Sequence, residues 1–350
     1  MKLSILTVRP LRVLIQWMSG YSAWTKAQKH YDAGAKLQRQ GRLEEAISEF
    51  NATIRFDPHD GAAYAQRGFA YLSQGQPQRA IQDFNEAILL GLHDARLDDS
   101  LYLARGRAYD TLGQHQRAIE DYGEAIRLNP QLAEAHYRRG LTYDKLAELE
   151  RAMEDYGEAI RLNPQLAEAY YNRGLTYDKL AELEQAIEDY GEAIRLSPQL
   201  AGAHYNRGLA YDKLEELERA IEDYGEAIRL NLDDGAIYYN RGVAYFNLGQ
   251  FEQALRDFDE AIHLNPRDAG AYYSRGAAHS NLGQHERAIR DLDEAIRLNP
   301  QDVEGYVGRA IAYTLLSRDA EAQHDVERAI ELGYEPDRLK EQIEELKRRR

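Results

Sequence analysis

AEAHYRRGLTYDKLAELERAMEDYGEAIRLNPQL, residues 133–166, is followed by AEAYYNRGLTYDKLAELEQAIEDYGEAIRLSPQL at 167–200 and AGAHYNRGLAYDKLEELERAIEDYGEAIRLNLDD at 201–234. From Ala133 to Ala167 to Ala201 the step is 34 residues each time. A fixed period of this length is the mark of stacked two-helix units, and it takes precedence over any isolated motif.

Within the first copy the apolar residues are Ala135, Leu141 and Leu146, with Tyr137 and Tyr143 beside them. After a short turn come Leu149, Ala152, Met153, Tyr156, Ala159, Ile160 and Leu162. The second set recurs at i, i+3, i+4 and i+7, a helical stripe facing a core. Two helices of about 14 residues are marginal alone in water, so they hold by packing on each other and on the next hairpin. Gly140 falls inside the first helix, where glycine costs about 1 kcal/mol against alanine. Its recurrence predicts a close helix crossing with Ala152. Asn163-Pro164 predicts the end of the second helix, because the residue before proline avoids the α region.

These spaced positions, Gly140, Tyr143, Ala152, Tyr156, Ala159 and Pro164, resemble the tetratricopeptide repeat family. His136 departs from it, standing where that family often has Trp. The resemblance implies an all-α fold, a right-handed superhelical solenoid of antiparallel helical hairpins. It also implies a protein-binding scaffold with first helices on the concave face.

The register predicts nine hairpins over residues 27–336, starting near Ala27, Gly61, Asp99, Ala133, Ala167, Ala201, Gly235, Ala269 and Val303. Position eight is glycine in all but the last unit, which has Ala310, and position twenty is always alanine. Gly68 to Gly106 is 38 residues, so four are inserted around 91–98, giving a longer loop or an extended first helix. Unit six ends Asn231-Leu232 without its proline. Residues 337–350 predict a capping helix with a stripe at Leu339, Ile343 and Leu346 and cations at its negative end.

Residues 1–26 stand apart. They carry Lys2, Arg9, Arg12 and Lys26, no acid, and an apolar set at Leu11, Val13, Leu14, Ile15, Trp17 and Met18. Three readings stay open: a cap on the first hairpin, a basic amphipathic anchor to a membrane or a partner complex, and a cleaved targeting peptide. Pro10 is expected to interrupt any helix there.

The chain has 350 residues, no Cys and a net charge of −15, with 29% charged and 43% hydrophobic residues. This is an ordered, helix-rich composition. Without Cys there is neither a disulfide framework nor a thiolate site. The acidic balance argues against nucleic-acid binding, which needs a phosphate-neutralising surface. No run of 18 apolar residues is present. The expected location is cytoplasmic, with peripheral membrane association as the alternative. The ten His lack metal spacing, and no nucleophile or phosphate-loop motif occurs, so neither a metal, a cofactor nor an enzymatic activity is expected. Asn51-Ala52-Thr53 matches a glycosylation sequon but falls in a predicted helix.

Position seven is Arg and position twenty-three Asp in every unit but the first, where Ala33 and Glu49 stand instead. In an antiparallel hairpin these indices lie opposite each other, which predicts a bidentate Arg–Asp bridge, inside or between hairpins, with a repeating arginine ladder for anionic ligands as the alternative.

By resemblance, positions two, five, six, nine, twelve and thirteen face the groove. The candidate partner-binding residues are Tyr137, Tyr171, Tyr205, Tyr239 and Tyr273, beside Arg138, Asn172, Asn206 and Asn240, with Asp178 and Lys179 on the deeper wall. Tyr offers apolar area with a polar tip, and Asn offers both a donor and an acceptor to a peptide backbone. The asparagines are expected to be exposed. The known clamp for acidic chaperone tails is absent as a set, since its first two positions are Tyr with Leu or Val. The expected function is a scaffold that binds a peptide segment or partner helix in the groove. The alternative is an assembly subunit of a larger complex docked through residues 1–26.

Overall fold

The computed structural model describes residues 8–91, 95–232 and 234–349. Among them there are nineteen α-helices and no strand. Unit boundaries by packing are Met1–Thr176 and Tyr177–Arg350, which divide one helix, α9 (Ala167–Lys179), between them.

The first unit holds α1 (Val8–Arg39) with α2 (Leu43–Phe56), α3 (Gly61–Ser73) with α4 (Pro77–Leu90), α5 (Ala95–Thr111) with α6 (His115–Leu128), and α7 (Ala133–Lys145) with α8 (Leu149–Leu162). The second holds α10 (Leu183–Leu196), then α11 (Ala201–Lys213) with α12 (Leu217–Arg229), α13 (Gly235–Asn247) with α14 (Phe251–Leu264), α15 (Ala269–Asn281) with α16 (His285–Leu298), and α17 (Val303–Leu315) with α18 (Asp319–Glu331). Within each unit second helices also pack on the following first helix, as α2 does on α3 and α14 on α15, which makes the chain an all-α solenoid of antiparallel hairpins. A closing helix, α19 (Pro336–Arg349), buries Leu339 and Ile343 against Val307, Ala310, Val326 and Ala329.

The core repeats with the sequence. Ala152, Tyr156 and Ala159 of α8 are fully buried, as are Ala118, Tyr122 and Ala125 of α6 and Ala220, Tyr224 and Ala227 of α12. A buried aromatic ring of this kind contributes about 1.5–3 kcal/mol through burial of apolar surface. Gly140 makes room for such a ring. A Cβ there would lie 2.9 Å from two carbons of Tyr156 and 3.3 Å from the Ala152 carbonyl. The close crossing therefore involves position twenty-four more than position twenty. In the last unit that place is taken by Val326, a smaller side chain, and position eight becomes Ala310 with both fully buried.

The turn between paired helices is a Schellman closure. Ala147 has φ 58°, its N–H donates to the Asp144 carbonyl, and the Glu148 N–H donates to the Tyr143 carbonyl. Without its proline, unit six ends α12 in the same way, with Asn231 at φ 59° and the Leu232 N–H donating to the Ala227 carbonyl. Asn163-Pro164 ends α8 as its sequence predicts, with Asn163 at φ −136° and ψ 87°. The inserted residues before unit three lengthen its first helix, which begins at Ala95. Leu92, His93 and Asp94 lie outside the described residues.

Pro10 does not interrupt α1, which runs from Val8 through Arg39. It sits in the first turn, where the backbone N–H that proline lacks has no intrahelical partner. Residues 1–7, the side chains of 8–21 and Arg350 lie outside the described residues. Among the described residues no helix is long and apolar enough to cross a membrane.

Candidate partner-binding groove

First helices of successive hairpins touch along one face of each unit, as α1 with α3, α3 with α5 and α5 with α7, then α13 with α15 and α15 with α17. Positions two, five, nine and twelve share one helical face, so this contact joins them into a surface within each unit.

The position-five tyrosines are half-buried on it. Tyr137 lies 6.1 Å from the Tyr156 ring, Tyr205 6.0 Å from Tyr224 and Tyr239 6.0 Å from Phe258, all tilted. Their inner edges therefore complete the hairpin core while the outer edges face the groove. Burial pushes the phenols of Tyr137, Tyr205 and Tyr273 above their usual range, so they act as neutral hydroxyls. Arg138 is half-buried, with its guanidinium over the Tyr137 ring and Nε donating to Glu134 at 2.6 Å.

The asparagines are less exposed than their sequence position suggested. Asn172 Nδ2 donates to the Tyr137 hydroxyl at 3.1 Å and to the Glu168 carbonyl at 2.7 Å. Asn240 Nδ2 donates to the Tyr205 hydroxyl at 3.1 Å. The position-six amide thus bridges back to the preceding hairpin's position-five phenol, 35 residues earlier. In Asn172 both donor hydrogens are used, which leaves the Oδ1 face for a ligand donor. Tyr171 and Asn206 are half-buried on α9 and α11, and Lys179 is exposed at the end of α9.

The deeper wall is paired across hairpins. Lys145 Nζ lies 2.6 Å from Asp110, and Lys213 Nζ lies 2.6 Å from Asp178. Both lysines are about half exposed, so each pair contributes about 0–1 kcal/mol. At the far end Tyr273, Ala277, Ser280 and Asn281 of α15 and Ile311 and Leu315 of α17 line a cleft of about 320 Å³. These are positions five, nine, twelve and thirteen of two successive hairpins. Among the described residues no group of three or more His, Asp or Glu is placed to hold a metal ion.

Behind the groove Arg–Asp bridges join the two helices of the hairpins that carry them. Arg207 Nε and Nη2 donate to the two Asp223 oxygens at 2.7 and 2.8 Å, and Arg67, Arg105, Arg139, Arg241, Arg275 and Arg309 repeat the fork on their own aspartates. The bond to Asp223 holds the Arg207 guanidinium above its usual range. The first hairpin, without this pair, has His30 Nδ1 2.6 Å from Glu49. Sequence reasoning missed a third bond from some of these arginines to the preceding hairpin. Asn51, the sequon residue, accepts one of them from Arg67 Nη1 at 2.6 Å.

Profiles of the tetratricopeptide repeat family match residues 31–96, 106–146, 147–180, 182–215, 213–249, 235–268 and 269–302. The mouse DnaJ homolog subfamily C member 3 is 35% identical over 63 residues, which are 18% of this chain and 12% of that relative. Tetratricopeptide repeat protein 36 of Caenorhabditis elegans is 36% identical over 67 residues, 17% of this chain and 37% of its own length. Among solved structures, YrrB, described as a TPR protein with an unusual peptide-binding site, is 27% identical with a TM-score of 0.51, covering 53% of this chain and 96% of its own. Pseudomonas aeruginosa pilF, 19% identical with a TM-score of 0.50, covers 60% of this chain and 96% of its own, and shares the fold.

Proposed function

Because the chain belongs to the tetratricopeptide repeat family, we propose that it is a protein-interaction scaffold that binds an extended peptide or partner helix along the first-helix face. The observation that carries this reading is the cleft at Tyr273, Ala277, Ser280 and Asn281, which is lined by the groove positions. It joins apolar walls from Ile311 and Leu315 to a few polar groups, the composition that suits peptide recognition. The peptide-binding site ascribed to YrrB is in keeping with it. Tyr137, Arg138, Tyr171, Asn172, Tyr205, Asn206, Tyr239, Asn240 and Tyr273 are the contact residues, with Asp178 and Lys179 at the wall.

The test is capture of partners from native lysate by the immobilised full chain and by an Asn172→Ala/Asn240→Ala/Ile311→Ala variant of matching circular dichroism. A partner retained by the wild type and lost by the variant supports the groove. A partner that binds both alike refutes it.

The second reading, a subunit docked through residues 1–26, is favoured by α1. That helix begins well before the repeat register and leaves the side of Trp24 54% exposed. A partner kept by the groove variant and lost when residues 1–26 are removed supports this reading instead.

A further inference from the structure

Position twenty-five carries a pattern that the groove does not use. It is Asn51 and Asn85 in the first two hairpins, Gly123, Gly157, Gly191 and Gly225 in the next four, and Asp259 and Asp293 in the two after. Where it bears a side chain, that side chain accepts a hydrogen bond from the next hairpin's position-seven arginine. Arg105 Nη1 donates to Asn85 at 2.7 Å, Arg275 Nη1 to Asp259 at 2.7 Å and Arg309 Nη1 to Asp293 at 2.6 Å. Arg275 and Arg309 thus hold two carboxylates each, one inside the hairpin and one from outside it.

At Gly191 and Gly225 the same nitrogen faces a notch. Arg207 and Arg241 give Nε and Nη2 to Asp223 and Asp257, and their Nη1 lies 3.7 and 3.6 Å from where a Cβ of Gly191 or Gly225 would stand. Packing does not require these glycines, because those distances are ordinary contacts. Gly208 and Gly242 differ, since a Cβ there would meet an aromatic ring at 2.9 or 2.7 Å. Glycine inside a helix is unfavourable against alanine. Its recurrence here without a steric demand points to close approach by something outside the chain. The place is open to solvent: Asp259 and Asp293, which occupy it in later hairpins, are 62% and 51% exposed while bonded. It also lies on the side of the first helix away from the groove, since positions five and seven are about 200° apart.

We propose that the notches at Gly191 and Gly225 are docking sites for aspartate or glutamate side chains of an acidic partner segment, each carboxylate accepting from the open Nη1 of Arg207 or Arg241. Asp259 and Asp293 supply the template for that contact within this chain. Arg139 beside Gly123 repeats the open arrangement in the other unit. A charged hydrogen bond of this type is stronger than a neutral one and is specific to an oxyanion partner. The chain's charge of −15 repels polyanions in general, so binding of an acidic peptide requires a local site.

The test uses the full chain and fluorescein-labelled polyglutamate, read by anisotropy at low salt. The wild type is expected to bind. Gly191→Asp/Gly225→Asp closes both notches as Asp259 does and is expected to weaken binding about tenfold or more, with Gly191→Asn/Gly225→Asn, which copies the Asn85 arrangement, as a second closing variant. Gly191→Ala/Gly225→Ala places a Cβ 3.7 and 3.6 Å from the two Nη1 nitrogens, at the point of approach, and is expected to weaken binding by about threefold, less than the closing variants. Asp259→Gly opens another notch and is expected to tighten binding. The proposal is overturned if the wild type does not bind, if the closing variants bind as it does, or if inorganic phosphate alone occupies the site.

Discussion

Arg241 and Asp257, sixteen residues apart on the two helices of one hairpin, hold each other by two parallel hydrogen bonds of 2.7 Å. The aspartate is almost fully buried and the arginine largely so. Asp257→Ala leaves a guanidinium without its main partner and is expected to cost about 3 kcal/mol, at the low end for a buried pair because Arg241 keeps some solvent. Arg241→Met/Asp257→Leu is expected to cost less than the sum of Arg241→Met and Asp257→Leu. Additive losses in urea unfolding would show that the fork contributes nothing as a pair.

Gly242 and Phe258 form a steric couple. A Cβ at Gly242 would stand 2.7 Å from the Phe258 ring. Gly242→Ala is therefore expected to destabilise by about 1–3 kcal/mol through overpacking. Ala310 and Val326 show the compatible alternative in the last hairpin. Gly242→Ala/Phe258→Val should accordingly recover part of the loss, and thermal unfolding of the three variants decides it.

Glu215 occupies the left-handed place of its hairpin turn, with φ 62°. The same place is Gly41, Gly75, Gly113, Gly249 and Gly283 in other hairpins, with φ between 69° and 74°. A side chain there carries a backbone strain of about 1 kcal/mol that glycine lacks. Glu215→Gly is expected to raise the unfolding midpoint in denaturant by a fraction corresponding to about 0.5–1 kcal/mol. A lowered midpoint would mean that the Glu215 side chain stabilises the turn.

His279 links stability to pH. Burial depresses its pKa below the ordinary 6.5, against the pull of Asp291 at 3.8 Å and the acceptor of Gln284 at 2.9 Å, with Arg275 and Arg287 also disfavouring charge. The unfolded chain then binds more protons than the folded one, so stability from this group is complete above the unfolded pKa and falls as pH drops through it. His279→Gln is expected to flatten the decline between about pH 7 and pH 5. Equal slopes for the two proteins would remove His279 as the source.

The Tyr224 hydroxyl is buried without a hydrogen-bond partner, and burial pushes its pKa far up. Phe84 and Phe258 fill the same place in other hairpins and are as fully buried. Tyr224→Phe removes an unsatisfied polar group and is expected to stabilise by about 1 kcal/mol. A loss of stability instead would reveal a partner for the hydroxyl.

The residues differ in how far their roles could be read beforehand. Tyr156, Ala152 and Gly140 were legible because burial follows the helical period within one hairpin. Arg241 with Asp257 was legible because opposed positions in an antiparallel hairpin have a nearly constant index sum. Asn172 was not: its partner, Tyr137, lies in the preceding hairpin, and nothing in the local pattern says how far that hairpin rotates past it. The third arginine bond was missed for the same reason. Its signal was in the sequence, in the change from Asn51 to Gly191 to Asp259 at one position of the repeat.

By itself the sequence determined the helices, their pairing and the face each one buries, because apolar spacing and turn residues act over a few residues along the chain. Only the tertiary structure decided which polar groups are consumed between hairpins, as in Asn240 with Tyr205, and which stay open, as at Arg207 Nη1. Those choices depend on distances of 2.6–3.1 Å across stacked hairpins. The stacking sets such distances through the packing of many side chains at once, and no single residue type encodes them.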